Sequence, residues 1–197
     1  MDIDNKHDLE QARVRSKARV ADFLRALDPV IDQRDDRIAT DLAHENSSSR
    51  TKLRKIYALL GDVSKAAASH VPCGKGCSAC CKMNISITSL EAERLAAVTG
   101  RRMVGLRHSV VQPEKKFSGV PCPFLVDDEC SVYEDRPYAC RAHFSFDVTS
   151  YWCQPERAYE GGMGQLGLGG ANKAYLDIAT GTSMRGFADI RDFFPAN

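Results

Sequence analysis

Cysteine is absent from the first 72 residues of this 197-residue chain and from the last 44. Long apolar runs are missing as well: no stretch approaches the ~20 residues that a membrane-spanning helix needs. The opening MDIDNKHDLEQARVRSKARV is dense in both charges and lacks the apolar centre of a secretory signal. The expected location is therefore cytoplasmic, without membrane attachment, where reducing thiol pools keep ordinary disulfides open. An excess of one charge is lacking too. Residues 1–72 carry 13 basic and 12 acidic side chains and the remainder 14 of each, for a formal net charge of +1. Such a balance gives no field to gather phosphates, so nucleic acid is not an expected partner. Arg101-Arg102 and Lys115-Lys116 read as solvated surface.

The familiar catalytic motifs are also missing. There is no H-E-x-x-H helix, no phosphate loop ending in Gly-Lys-Ser/Thr and no G-x-S-x-G elbow. Gly162-Met-Gly164-Gln-Leu-Gly167 matches G-x-G-x-x-G literally. A dinucleotide loop follows a buried strand, however, and Gln154-Pro-Glu-Arg-Ala-Tyr-Glu160 is not one, so the glycines read as a mobile connector. Whether the chain is an enzyme stays open.

What is there begins with helices. Hydrophobic residues make up 43% and charged ones 27%, a composition that supports a packed core. Residues 8–27 have helical periodicity, with Leu9, Ala12, Leu24 and Leu27 among the apolar positions, until Asp28-Pro29 breaks it. A second helix is predicted from Val30 to Glu45, with Ile31, Ile38 and Leu42 on one face. Asn46-Ser47-Ser48-Ser49 then supplies a linker and an N-cap. In the third helix Leu53, Ile56, Tyr57, Leu60, Val63 and Ala67 recur at three- and four-residue steps, and the helix ends before Pro72. These three helices read as packing for the cysteine-rich part of the chain. Ile85, Ile87 and Leu90 lead into another helix, with a capping box at Thr88-Ser89-Leu90-Glu91 and a stop at Gly100. Residues 101–121 read as loop, Cys122 to Tyr133 as a short hairpin turning at Asp127-Asp128-Glu129, and Ala171–Ala179 and Met184–Phe194 as helical pieces.

All eight cysteines fall between residues 73 and 153, as Cys73-x3-Cys77-x2-Cys80-Cys81 and then Cys122, Cys130, Cys140 and Cys153. Closely spaced cysteines on a flexible backbone can direct thiolates at one centre while intervening amides hydrogen-bond the sulfurs. Four disulfides would also use an even number, but a reducing compartment argues against them. Metal ligation is the expectation, either by zinc in four-thiolate sites or by an iron–sulfur cluster. Neighbouring side chains diverge, so Cys80 and Cys81 are expected to reach different irons of one cluster or two separate centres. Two four-ligand sites, or one site with a redox-active remainder, both remain open. His143 and His70 lie near cysteines in sequence but are read first as surface or packing residues.

Cys73-Gly-Lys-Gly-Cys77-Ser-Ala-Cys80-Cys81, Pro121-Cys122-Pro123-Phe124-Leu125, Cys130-Ser-Val-Tyr133, Arg136-Pro137, Cys140-Arg141 and Cys153 follow one another in an order that resembles the YkgJ-like cysteine-cluster family of zinc- or iron-chelating domains. The spacing here is CxxxCxxCC, where relatives often have two residues between the first two cysteines. The resemblance implies a metal site built from all eight cysteines, with Tyr133, Arg136, Arg141 and His143 inside the same stretch, and implies no reaction. The resulting expectation is a mainly α fold in three parts: a helical region over 1–69, an irregular cysteine-rich metal-binding unit with a short hairpin over 70–155, and a Gly-rich connector with a C-terminal helical segment over 156–197. The expected function is metal binding, with a [4Fe–4S] cluster ahead of zinc and a redox or cluster-assisted role. A structural zinc module for protein interaction and a metal storage or delivery protein are the alternatives.

Overall fold

A computed structural model describes residues 3–181 and 186–196, and the fold is mainly helical. Three helices come first: α1 (Ile3–Ala26), α2 (Pro29–His44) and α3 (Ser49–Ala67). Each boundary has a local cause. The Asp28 carboxylate accepts from the Val30 amide at 2.9 Å with Pro29 opening α2, and Ser48 Oγ accepts from the Thr51 amide at 3.2 Å to start α3. All six positions expected on the inner face of α3 are buried. On α1 the buried face is Ala12, Ser16 and Phe23, whereas Leu24 is 52% exposed.

Beyond the first cysteine group, strand β1 (Ser86–Thr88) runs into α4 (Ser89–Thr99). Thr88 and Glu91 close a complete capping box, and Gly100 ends the helix at φ 69°. The expected hairpin forms from β2 (Leu125–Val126) and β3 (Glu129–Cys130), with Leu125 opposite Cys130. Asp127 and Asp128 both take positive φ, as a two-residue turn requires. Helices α5 (Tyr138–Ala142) and α6 (Gly169–Ala179) follow, then β4 (Phe187–Asp189) and α7 (Ile190–Phe193).

Two expectations are corrected here. The segment expected to be helical from Met184 is a strand over Phe187–Asp189, and helix begins only at Ile190; Met184 itself lies outside the described residues. The strand wins because it completes a two-stranded sheet with β1, in the register Ser86↔Asp189, Ile87↔Ala188 and Thr88↔Phe187, burying Ile87 and Ala188. The glycine-rich connector, for its part, is packed against the helices. The Gly164 amide donates to Ser16 Oγ of α1 at 2.8 Å, and a Cβ at Gly164 would stand 2.6 Å from Val20 Cγ2. At Gly170 a Cβ would meet the Asp35 carbonyl oxygen at 1.6 Å. Here α2 and the start of α6 approach as closely as only glycine permits, and the Asp35 carboxylate accepts from the Gly170 and Ala171 amides at 3.0 and 2.9 Å.

Apolar side chains gather in two clusters, and cysteines pack against both. One joins Phe23, Leu42, Ile56, Leu60 and Val63 of the N-terminal helices to Phe144, Phe146 and Tyr175. The other joins Ile87 and Leu95 to Cys122, Phe124, Val132, Ile190 and Phe193.

Candidate metal centre

Short turns bring the cysteines inward. The Cys77 amide donates to the Gly74 carbonyl at 3.1 Å, and Ala79–Lys82 form one 3-10 turn that carries Cys80 and Cys81. The second group is tied to the first by the Cys122 amide, which donates to the Cys81 carbonyl at 2.7 Å. Cys130 sits on β3, Cys140 on α5 and Cys153 at the end of the 3-10 turn Tyr151–Cys153. The Ser145 amide donates to Cys73 Sγ at 3.4 Å, so the chain after α5 closes over the start of the cysteine block. All eight cysteines are free.

Electrostatics divides the thiols. Burial pushes Cys122 up to about 12, and repulsion from Cys81 and Cys130 adds to the rise. Burial likewise raises Cys130, with Cys81 adding, and raises Cys140, with Cys122, Cys81 and Cys130 adding. Cys81, Cys122, Cys130 and Cys140 are therefore all mutual neighbours. On the other side, burial raises Cys73 with Cys77 adding, and pushes Cys153 up to about 12 with Cys73 and Cys77 adding. Cys80 is the hinge between the groups. Its hydrogen bond with Cys81 and its burial raise it, and it feels Cys81, Cys140 and Cys153. The same hydrogen bond lowers Cys81, against the effect of burial.

Cations offset the accumulating negative charge. Arg136 faces Cys73, Cys81, Cys130 and Cys140; Arg191 faces Cys81 and Cys122; Lys82 faces Cys81. Arg191, from the C-terminal α7, escaped the sequence reading because it lies 38 residues beyond Cys153. Its guanidinium pairs with Asp189 at 2.9 Å and donates to the Cys81 carbonyl at 3.1 Å. The Asp-x-Arg pattern at the start of a helix was the available signal. Arg141 takes a different direction: it donates to the carbonyls of Arg136 and Glu134 and lies 4.6 Å over the Tyr57 ring. Tyr133 packs under Arg136, with the guanidinium 3.6 Å from its ring centroid. His143 does reach a thiol, its Nε2 standing 3.2 Å from Cys153 Sγ, and burial lowers its pKa. His70 does not: its ring meets Phe23 edge-on and bonds Ser69.

The donor chemistry fits zinc or iron. All the clustered donors are thiols, and desolvated thiols that repel one another as they ionise are relieved by a cation among them. Among the described residues, no three Cys, His, Asp or Glu side chains stand close enough to hold a single ion as they are arranged. Zn–S bonds of about 2.3 Å would need sulfurs roughly 3.8 Å apart in a tetrahedron.

A second buried polar centre, Glu91, fastens this region to the helices. Its carboxylate accepts from the Tyr57 hydroxyl at 2.6 Å, the Tyr175 hydroxyl at 2.8 Å and the Tyr138 amide at 2.7 Å, in addition to its cap bonds with Thr88. Sequence reading assigned Glu91 to the cap alone; the three further donors come from α3, α5 and α6.

No curated protein and no solved structure matches the chain. Residues 72–156 do match the model of the CxxCxxCC family, described as "Putative zinc- or iron-chelating domain". The matched segment carries all eight cysteines.

Proposed function

We propose that the eight cysteines form two four-thiolate centres, Cys73, Cys77, Cys80 and Cys153 in one and Cys81, Cys122, Cys130 and Cys140 in the other. The observation that carries this is the division of the thiols into two neighbourhoods, with Cys80 and Cys81 at the seam. The adjacent pair is hydrogen-bonded thiol to thiol, and its two members are divided between the centres by their further neighbours, Cys153 for Cys80 and Cys122 with Cys130 for Cys81.

The group favoured in these centres is a [4Fe–4S] cluster, which supplies one-electron chemistry when bound. Support comes from the number of thiols, since eight clustered cysteines exceed the four that one zinc site uses. The chain's own residues would tune such a group. Arg136, Arg191 and Lys82 counter the thiolate charge, and the amides of Phe124, Val132 and Ser145 hydrogen-bond sulfur. Both effects raise a reduction potential. The role is accordingly read as redox or cluster-assisted. Zinc is the second reading, supported by the all-thiolate donor sets, and would make the domain a closed structural unit.

Metal and acid-labile sulfide analysis, with a visible spectrum, on protein purified without oxygen tests the proposal. Iron with matching sulfide and a brown colour that bleaches on reduction is the expected result. Stoichiometric zinc in a colourless sample would replace the cluster with the structural reading. Cys80→Ser and Cys140→Ser are each expected to lower metal per chain, with His44→Ala unchanged; full occupancy in both cysteine variants would refute the ligand assignment.

A further inference from the structure

Among the four thiols assigned to the first centre, Cys80 is tied to its set less closely than the others. Cys73, Cys77 and Cys153 neighbour one another. Cys80 joins them through Cys153, but its hydrogen bond runs to Cys81 and it also neighbours Cys140, both assigned to the second centre. It is half-buried and lines a cavity of about 190 Å³, and no Asp, Glu, Lys or Arg stands among the described residues of that wall. The Cys80 side of the centre therefore borders open, uncharged space.

A second donor borders the same space. His143 follows the last residue of α5, lines the cavity together with Cys80, and holds its Nε2 3.2 Å from Cys153 Sγ. Metal–nitrogen and metal–sulfur bonds of about 2.05 and 2.3 Å at a tetrahedral ion would set nitrogen and sulfur roughly 3.6 Å apart. The imidazole thus stands within a few tenths of an ångström of the separation that two ligands of one ion require. Imidazole serves beside thiolate at zinc and at iron–sulfur iron alike, so it suits either metal.

We propose that Cys80 and His143 are interchangeable fourth ligands of the first centre, with Cys80 bound at rest and His143 taking its place when the thiolate leaves. This rests on the reading of the eight cysteines as two metal centres. The exchange breaks one metal–sulfur bond and forms one metal–nitrogen bond. The imidazole gives its Nε2 lone pair and keeps its proton on Nδ1. The sulfur leaves with its electron pair and takes a proton from solvent, so no oxidation state changes. Cys80 becomes a free thiol at the cavity while the metal stays on the chain.

Four chains purified without oxygen test this: the parent, Cys80→Ala, His143→Ala and the double variant. Alanine is chosen because serine still offers an oxygen ligand. The readouts are metal per chain and nitrogen coupling at the metal, by pulsed EPR of the reduced iron protein or, for a zinc protein, of its cobalt(II)-substituted form. The parent and His143→Ala are expected to carry equal metal without nitrogen coupling. Cys80→Ala is expected to keep more metal than the double variant and to show nitrogen coupling. The double variant is expected to fall to about half the parental content, the second centre alone. Equal metal in Cys80→Ala and the double variant, or no nitrogen coupling in Cys80→Ala, would overturn the exchange. So would nitrogen coupling in the parent or metal loss in His143→Ala, either of which makes His143 a resident part of the site. If the double variant does not fold, Cys80→Ala combined with His143→Cys decides: metal at or above the Cys80→Ala level without nitrogen coupling is expected, and lower metal or persisting coupling would overturn the exchange. A parent chain with neither iron nor zinc, or with metal for one centre only, would instead overturn the two-centre reading itself.

Discussion

At 1% exposure Glu91 is an acid that folding would exclude unless its charge were fully answered, and five hydrogen bonds from hydroxyls and amides answer it. Removing the carboxylate strands the hydroxyls of Tyr57 and Tyr175 and the Tyr138 amide, each at about 1–3 kcal/mol. Glu91→Ala should therefore cost at least about 3 kcal/mol in urea unfolding. Glu91→Gln keeps the shape and one acceptor oxygen and should cost clearly less. Equal losses in the two variants would mean that packing, and not acceptance, is what the residue supplies. Tyr138 also stacks on Tyr175 at 4.1 Å, two residues before Cys140, so loosening at Glu91 is transmitted to α5 and its cysteine.

Among the elements, β4 and α7 contribute more than their length suggests. Ala188 faces the second apolar cluster at 1% exposure, Asp189 accepts from the Ile85 amide at 2.7 Å, and Arg191 reaches the Cys81 carbonyl. The last residues of the chain thereby support the 3-10 turn that carries Cys80 and Cys81. A charge introduced at Ala188 would be buried without a partner. Ala188→Asp should lower the thermal midpoint and also the metal content per chain. A variant that melts earlier yet keeps full metal would separate the strand's role in stability from any role at the cysteines. The connector is similarly committed: Gly170 allows α6 to lie against α2, and α6 in turn delivers Tyr175 to Glu91.

For the whole molecule, the burial of thiols couples stability to pH. Cys122 and Cys153 are each raised to about 12, against an ordinary value of about 8.5 in an unfolded chain. The folded state thus holds protons that the unfolded state releases. The stability this contributes to reduced, metal-free protein is present below about pH 8.5 and is lost as pH rises toward 12. Urea midpoints should consequently fall between pH 7 and pH 9.5 without metal. Bound metal requires the thiolates, so with metal the sensitive side moves to acid, where protons compete for sulfur. A metal-free midpoint that is flat or rising across that interval would contradict the burial of these thiols. The helices are tied to the same region, because Arg15 of α1 pairs at 2.6 Å with fully buried Asp147, in the segment between Cys140 and Cys153.

Local patterns were enough to read α2, α3, the capping box at Thr88–Glu91, the Gly100 stop and the Asp127-Asp128 hairpin, since each depends on residues within a few positions of one another. The cysteine spacing likewise marked the segment that matches a "Putative zinc- or iron-chelating domain", whereas Cys80 and Cys81, expected to diverge, share a hydrogen bond. Other features depended on contacts between distant segments. Phe187–Asp189 is a strand because β1, about a hundred residues earlier, offers it a partner and a buried face. Gly164 and Gly170 are close-packing residues because α1 and α2 happen to pass there. Arg191 faces thiols, while Arg141, beside Cys140 in sequence, is drawn to Tyr57 and to backbone carbonyls. Sequence alone determined that the chain carries a dense block of thiols and where α2, α3 and α4 begin, because both depend on side-chain type and near neighbours. Which thiols share a neighbourhood, which cations face them and which acid ties them to the helices were decided by tertiary structure, since burial and long-range pairing exist only once the chain has closed on itself.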